Sequence, residues 1–84
     1  MDIAVDISLY PLDADYIPPI KDFIGRLNRH AGLKVTTNHL ATQVFGDHER
    51  IFEVLREEMR ASFEAGGKAV FVAKFVGPYP VPDG

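Results

Sequence analysis

Leu33–Phe45, LKVTTNHLATQVF, decides how this chain folds. Leu33–Asn38 and Ala41–Phe45 read as two strands joined near His39. The join lacks the Asn-Gly pair of a tight hairpin, so its turn type stays open. Thr36, Thr37, Asn38, Thr42 and Gln43 carry short, neutral hydrogen-bonding groups. None is a usual catalytic acid, base or nucleophile at neutral pH. Such groups suit gripping a small polar ligand. The plainer explanation is that threonine favours strands and asparagine favours turns.

Upstream, Asp2–Tyr10 alternates: Ile3, Val5, Ile7 and Leu9 share one face, and Ala4, Asp6, Ser8 and Tyr10 the other. A period of two is a strand with one buried face, and Pro11 ends it. Asp13 or Asp15 is expected to cap a helix with Pro18 and Pro19 in its first turn, where missing amides are tolerated. Ile20, Phe23, Ile24 and Leu27 follow at helical spacing, and Gly32 is expected as a left-handed C-terminal cap. Downstream, Gly46 is expected to release the chain and Asp47 to cap a second helix. Ile51, Leu55, Met59 and Phe63 recur at steps of four, widened by Phe52 and Val54. Gly66 and Gly67 stop that helix, and Lys68–Val76 is a last strand.

The order strand, helix, strand, strand, helix, strand, with right-handed crossovers, predicts an α+β ferredoxin-like βαββαβ sandwich. Its antiparallel sheet should run in the order 4-1-3-2, with both helices on one face. The domain spans residues 1–76. Gly77–Gly84 has three prolines in eight residues and is expected to be an extended or disordered arm.

With 84 residues the chain is one small domain, and oligomerisation is a common remedy for its limited core. It has no cysteine, hence no disulfide or thiolate chemistry. A net charge of −3 argues against a non-specific nucleic-acid partner, which needs a basic face. No apolar run approaches the roughly 20 residues of a membrane span. The opening MDIAVDISLY is acidic where a secretory signal is basic, so a cytoplasmic location is expected by default. His30, His39 and His48 match no compact zinc spacing, so no metal is expected. Ser8 and Ser62 lack a Gly-x-Ser-x-Gly setting, and Gly66-Gly67 is a helix stop rather than a phosphate loop. Glu49, Glu53, Glu57 and Glu58 read as a solvated face. No catalytic residue and no cofactor is expected.

The sheet face away from the helices should carry Asp6, Ser8 and Tyr10 beside Val70, Val72 and Lys74. A partly apolar open face of this kind marks an interface. Either two sheets meet there or edge strands join across subunits.

Ile7–Leu12 (ISLYPL) and Thr36–Asp47 (TTNHLATQVFGD) resemble the YkoF-like thiamine/hydroxymethylpyrimidine-binding family. That family, including its single-domain thiamine-binding proteins, shows a similar first strand and a threonine-rich hairpin ending in Thr-x-x-x-Gly, here Thr42–Gly46. The likeness spans Ile3–Val76. It implies a ferredoxin-like domain that forms homodimers or homotetramers and binds thiamine or its pyrimidine without chemistry. The best-known members carry two such domains, so two copies of this chain would have to pair. On this resemblance Ser8, Thr37, Asn38, Thr42 and Gln43 are candidates for the pyrimidine edge. Tyr10 or Phe45 is a candidate ring platform, and Asp6, with Lys74 beside it, is a candidate partner for the thiazolium charge. Asp6 pairing only with Lys74, and Phe45 serving only as core, are the structural alternatives. Two other classes stay open: a protein-interaction module that only oligomerises, and a dimeric ferredoxin-like enzyme with a pocket between helices and sheet.

Overall fold

Alternation in the first strand builds the core around which everything else is placed. In the computed structural model, which describes residues 1–83, β1 (Asp2–Pro11) is the longest strand. After it come α1 (Ile17–Leu27), β2 (Lys34–Thr37), β3 (Thr42–Asp47), α2 (His48–Gly66) and β4 (Ala69–Val76). The sheet order is β2-β3-β1-β4, all neighbours antiparallel, which is the ferredoxin-like arrangement read from the sequence. Ile3, Val5, Ile7 and Leu9 of β1 and Val44 of β3 meet Phe23 and Leu27 of α1 and Ile51, Val54 and Leu55 of α2. Burying each such side chain stabilises the fold by about 1.5–3 kcal/mol relative to exposure.

The parity of β4 is as expected. Phe71 packs on Phe23 and Phe63, with ring centroids 4.9 and 5.4 Å apart, and Phe75 stacks on Phe52 at 5.1 Å. On the opposite face, Val70, Val72 and Lys74 lie directly across from Tyr10, Ser8 and Asp6.

The helix ends differ from expectation. Neither Asp13 nor Asp15 caps α1: the N-cap is Tyr16, with no side-chain bond. An N-cap carboxylate normally accepts from the second or third helical amide, and here those positions are Pro18 and Pro19, which have none. Asp13 instead accepts from the Asp15 amide at 2.9 Å. Helix α1 stops at Leu27, with Asn28 as C-cap, its Nδ2 donating to the Ile24 carbonyl at 2.8 Å. Gly32 is therefore not that cap; its φ of +86° serves the turn into β2.

Gly46 does not release the chain either, because β3 runs through it to Asp47. A Cβ at Gly46 would lie 2.6 Å from Leu33 Cδ2, so the glycine makes room for that side chain against the sheet. Asp47 caps α2 as expected, accepting from the Arg50 amide at 3.3 Å. That amide bond holds the Asp47 carboxyl below its ordinary value. The arm after β4 returns to the sheet at Tyr79 and Pro82, and Gly84 is outside the described residues. The Tyr79 amide donates to the Asp2 carbonyl at 2.8 Å, its ring sits 5.9 Å from Phe45, and Lys34 Nζ donates to the Pro82 carbonyl at 3.0 Å.

Glu58 is not part of a solvated face. It lies between the helices, where Arg26 Nε donates to Oε1 at 2.8 Å and His30 Nε2 meets Oε2 at 2.6 Å. Arg26 also reaches Ser62 Oγ at 2.6 Å and the carboxylate of Asp22. Burial alone would raise the Glu58 carboxyl, but the hydrogen bonds and charges of His30 and Arg26 outweigh it and hold it below its ordinary value of 4.5. A lowered carboxylate stabilises the fold fully above that value and loses its contribution as the pH falls through the folded-state value. Glu58→Gln should lower stability to urea by about 1.5–3 kcal/mol at neutral pH. The loss should shrink as the pH drops below the ordinary value. An equal loss at neutral and strongly acid pH would contradict this role.

Candidate functional site

The β1–β3 register places Thr42 opposite Ile7, and β2–β3 pairing places Thr37 opposite Thr42. All three therefore face the helices, with Thr42 on the parity of buried Val44. Thr42 is only 4% exposed, and its hydroxyl lies 3.1 Å from that of Thr37. In such a pair one hydroxyl donates to the other, which leaves one O–H donor and several lone pairs to offer.

These hydroxyls border a cavity of about 350 Å³ between α1 and the hairpin end of the sheet. Ile7 and Leu9 contribute from β1. Ile20, Phe23 and Ile24, spaced i, i+3 and i+4, contribute one face of α1, and Tyr16 stands at its start. His39, Leu40 and Ala41 contribute from the β2–β3 turn. Among the described residues, no aspartate, glutamate, lysine or arginine borders the cavity. Cavities of about 300–1,000 Å³ with apolar walls and a few placed polar groups are the usual form of small-molecule sites.

Asn38 shapes the turn at the mouth. Its Oδ1 accepts from the amides of Leu40 and Ala41 at 2.8 and 3.0 Å, and its own amide donates to the Ala41 carbonyl at 3.0 Å. These bonds present Leu40 to solvent, 89% exposed, beside the opening.

Of the nine residues singled out from the sequence, five border the cavity and four do not; Ser8 and Tyr10 reach it at the end of the sheet although their β1 parity is that of Asp6 on the open face. Ser8, Tyr10, Thr37, Asn38 and Thr42 border the cavity. Ser8 Oγ also donates to the Leu40 carbonyl at 3.5 Å, tying β1 to the turn. Asp6, Gln43, Phe45 and Lys74 lie on the open sheet face, away from the cavity. There Gln43 Nε2 donates to Asp6 Oδ2 at 2.8 Å, and Phe45 lies under Tyr79. Asp6 is thus held by Gln43, although Lys74 stands opposite it in the register. The sequence reading missed Tyr16, Ile20, Phe23, Ile24, His39 and Leu40 as cavity residues. The signal for α1 was present, but a stripe at helical spacing was read only as core.

The histidines are dispersed: His30 bonds Glu58, His39 borders the cavity, and His48 packs on Phe52. Among the described residues, no group of three or more His, Asp or Glu side chains is placed to hold a metal ion. No described helix is long and apolar enough to cross a membrane.

The model of the YKOF-related family matches residues 2–74, which takes in every strand and helix except the end of β4. This chain belongs to the YKOF-related family. No curated protein matches the sequence. Among solved structures, this YKOF-related chain is similar to protein SP2199 of Streptococcus pneumoniae, with 16% identity and a TM-score of 0.86, over 94% of this chain and 89% of that one. It is also similar to a hypothetical protein of Methanocaldococcus jannascii, with 22% identity and a TM-score of 0.81, over 96% and 84% of the two chains. A third likeness is to a proposed thiamine biosynthesis/salvage protein of Thermotoga maritima, with 21% identity, a TM-score of 0.81 and coverage of 89% and 82%. At these identities the likenesses establish a common fold.

Asn38→Ala removes the acceptor of two backbone amides at the cavity mouth. It should cost about 1 kcal/mol in urea unfolding and speed amide exchange at Leu40 and Ala41. Unchanged exchange at both would show that the side chain does not organise the turn.

Proposed function

We propose that this protein binds thiamine or its hydroxymethylpyrimidine moiety without transforming it, in vitamin transport, salvage or sensing. The observation that carries the reading is the Thr37–Thr42 hydroxyl pair at the wall of a cavity with otherwise largely apolar sides. An aminopyrimidine edge alternates donors and acceptors, which the remaining hydroxyl hydrogen and lone pairs of this pair complement. Tyr16 and Phe23 supply aromatic surface for the ring. Membership in the YKOF-related family, and the thiamine biosynthesis/salvage role proposed for the Thermotoga maritima neighbour, point the same way. A binding role fits a cavity bordered, among the described residues, by no carboxylate, lysine or cysteine; His39 borders it, with no carboxylate in the lining to orient the imidazole as a base.

The working unit in this proposal is a homodimer or homotetramer. Tyr10, Val70, Val72 and Val76 are each about half exposed on the open sheet face, at 54, 46, 50 and 52%. A second copy of the chain would cover them, in keeping with the modest core of a domain this small. An interaction module without a ligand is the alternative that this patch alone would favour.

Calorimetry separates the two. Hydroxymethylpyrimidine or thiamine should release heat on binding, and Thr42→Val, which keeps the shape and removes the hydroxyl, should weaken it about three- to tenfold. No heat and no thermal shift at millimolar ligand would end the ligand reading. Sedimentation should show dimers or larger species; monomer alone at micromolar concentration would end the oligomer reading.

A further inference from the structure

We propose that the arm after β4 is a displaceable strap that covers one end of the open sheet face and competes there with a second copy of the chain. This rests on the reading that a second copy covers the rest of that face. The arm itself lies beyond the stretch matched by the family model, which ends at residue 74.

The arm touches the other three strands in turn. The Tyr79 amide donates to the Asp2 carbonyl of β1 at 2.8 Å, and the Tyr79 ring lies 5.9 Å from Phe45 of β3. The Pro82 carbonyl accepts from Lys34 Nζ of β2 at 3.0 Å. From Gly77 to Pro82 an extended chain reaches about 17 Å, at roughly 3.4 Å per residue. Crossing from β4 to β2 takes three strand spacings, about 14 Å. The arm therefore crosses the strands with little slack.

The strand register shows what lies beneath it. Lys34, Phe45, Ala4 and Val76 stand opposite one another in one row across the sheet. Their parity is that of Asp6 and Lys74, so the row belongs to the open face. Ala4, inside the row, is only 7% exposed, while Val76 at its edge is 52% exposed. Further along the same face, Val72 and Tyr10 are half exposed. The covered row thus continues the apolar surface offered to a second copy, with Phe45 as its largest apolar side chain.

The seat of the strap is weak. At Tyr79 and Pro82 it consists of a backbone hydrogen bond, a ring contact and a lysine bond to a carbonyl, each a small net contribution. Tyr79 and Val81 remain 41 and 38% exposed, so docking buries only part of each. Against these contacts stands the entropy lost on ordering the arm, which Pro78, Pro80 and Pro82 reduce. A second copy, offering a larger apolar area, can displace a cover held this lightly. The strap therefore weakens self-association without forbidding it.

Sedimentation equilibrium of the full chain, of a chain ending at Val76 and of full-length Tyr79→Ser tests this. Both altered chains should self-associate at least about tenfold more tightly than the full chain. Adding Phe45→Ser to the shortened chain should abolish that gain. Tyr79→Ser carries the test where the shortened chain does not fold. In the full chain at monomeric dilution, the Tyr79 amide should exchange at least about tenfold more slowly than in an unstructured peptide. Unchanged or weaker association in the altered chains would overturn the strap and leave the second-copy reading intact. So would a gain that survives Phe45→Ser, or unprotected exchange at Tyr79. Monomer alone in all three chains would overturn both.

Discussion

The pairing of Ile7 with Thr42 determines which side of the sheet each later side chain faces. Strand side chains alternate, so a slip of one residue between β1 and β3 would move Gln43 to the helix side and expose Thr42. Val5 opposite Val44 and Ile3 opposite Gly46 lock the register through the core. Gly46 contributes by its lack of a side chain, which lets Leu33 close over the sheet. The Asn38 turn then sets β2 on β3 with Thr37 opposite Thr42, and both face α1.

The fold keeps its charged chemistry out of the resulting cavity. The Arg26–Glu58–His30 group clamps the two helices, Asp6 and Gln43 bond on the opposite sheet face, and Asp47 starts α2. In each place a carboxylate has a structural partner. The cavity receives what is left: hydroxyls, aromatic rings, aliphatic side chains, the Asn38 amide and the His39 imidazole. In the proposed reading, the helix side would serve the ligand and the open side a second copy.

The architecture was legible because two periods were clear: alternation in Asp2–Tyr10 and steps of four through Ile51–Phe63. The parity of β4 was legible for the same reason. Helix ends were not, because Asp13 and Asp15 look like caps unless the missing amides of Pro18 and Pro19 are counted. Glu58 looked solvated because its partners, Arg26 of α1 and His30 of the turn after it, lie some thirty positions earlier in sequence. The threonine hairpin was recognised as the polar feature, but Thr42 and Gln43 were both assigned to the same ligand edge. Thr42 and Gln43 are neighbours in sequence and so face opposite ways. The parity of Thr42 with Val44 could have shown this. The cavity wall from α1 could not be separated from core by spacing alone, since Phe23 serves both. The docking of the arm on Phe45 has no periodic signal at all.

The central claim is that ligand enters between α1 and the threonine hairpin, not on the open sheet face. Amide and methyl chemical shifts followed during titration with hydroxymethylpyrimidine test it most directly. The account predicts that the largest changes fall on Thr37, Thr42, Ile20 and Ile24. Changes centred on Asp6, Gln43 and Lys74, with the α1 methyls unmoved, would contradict it.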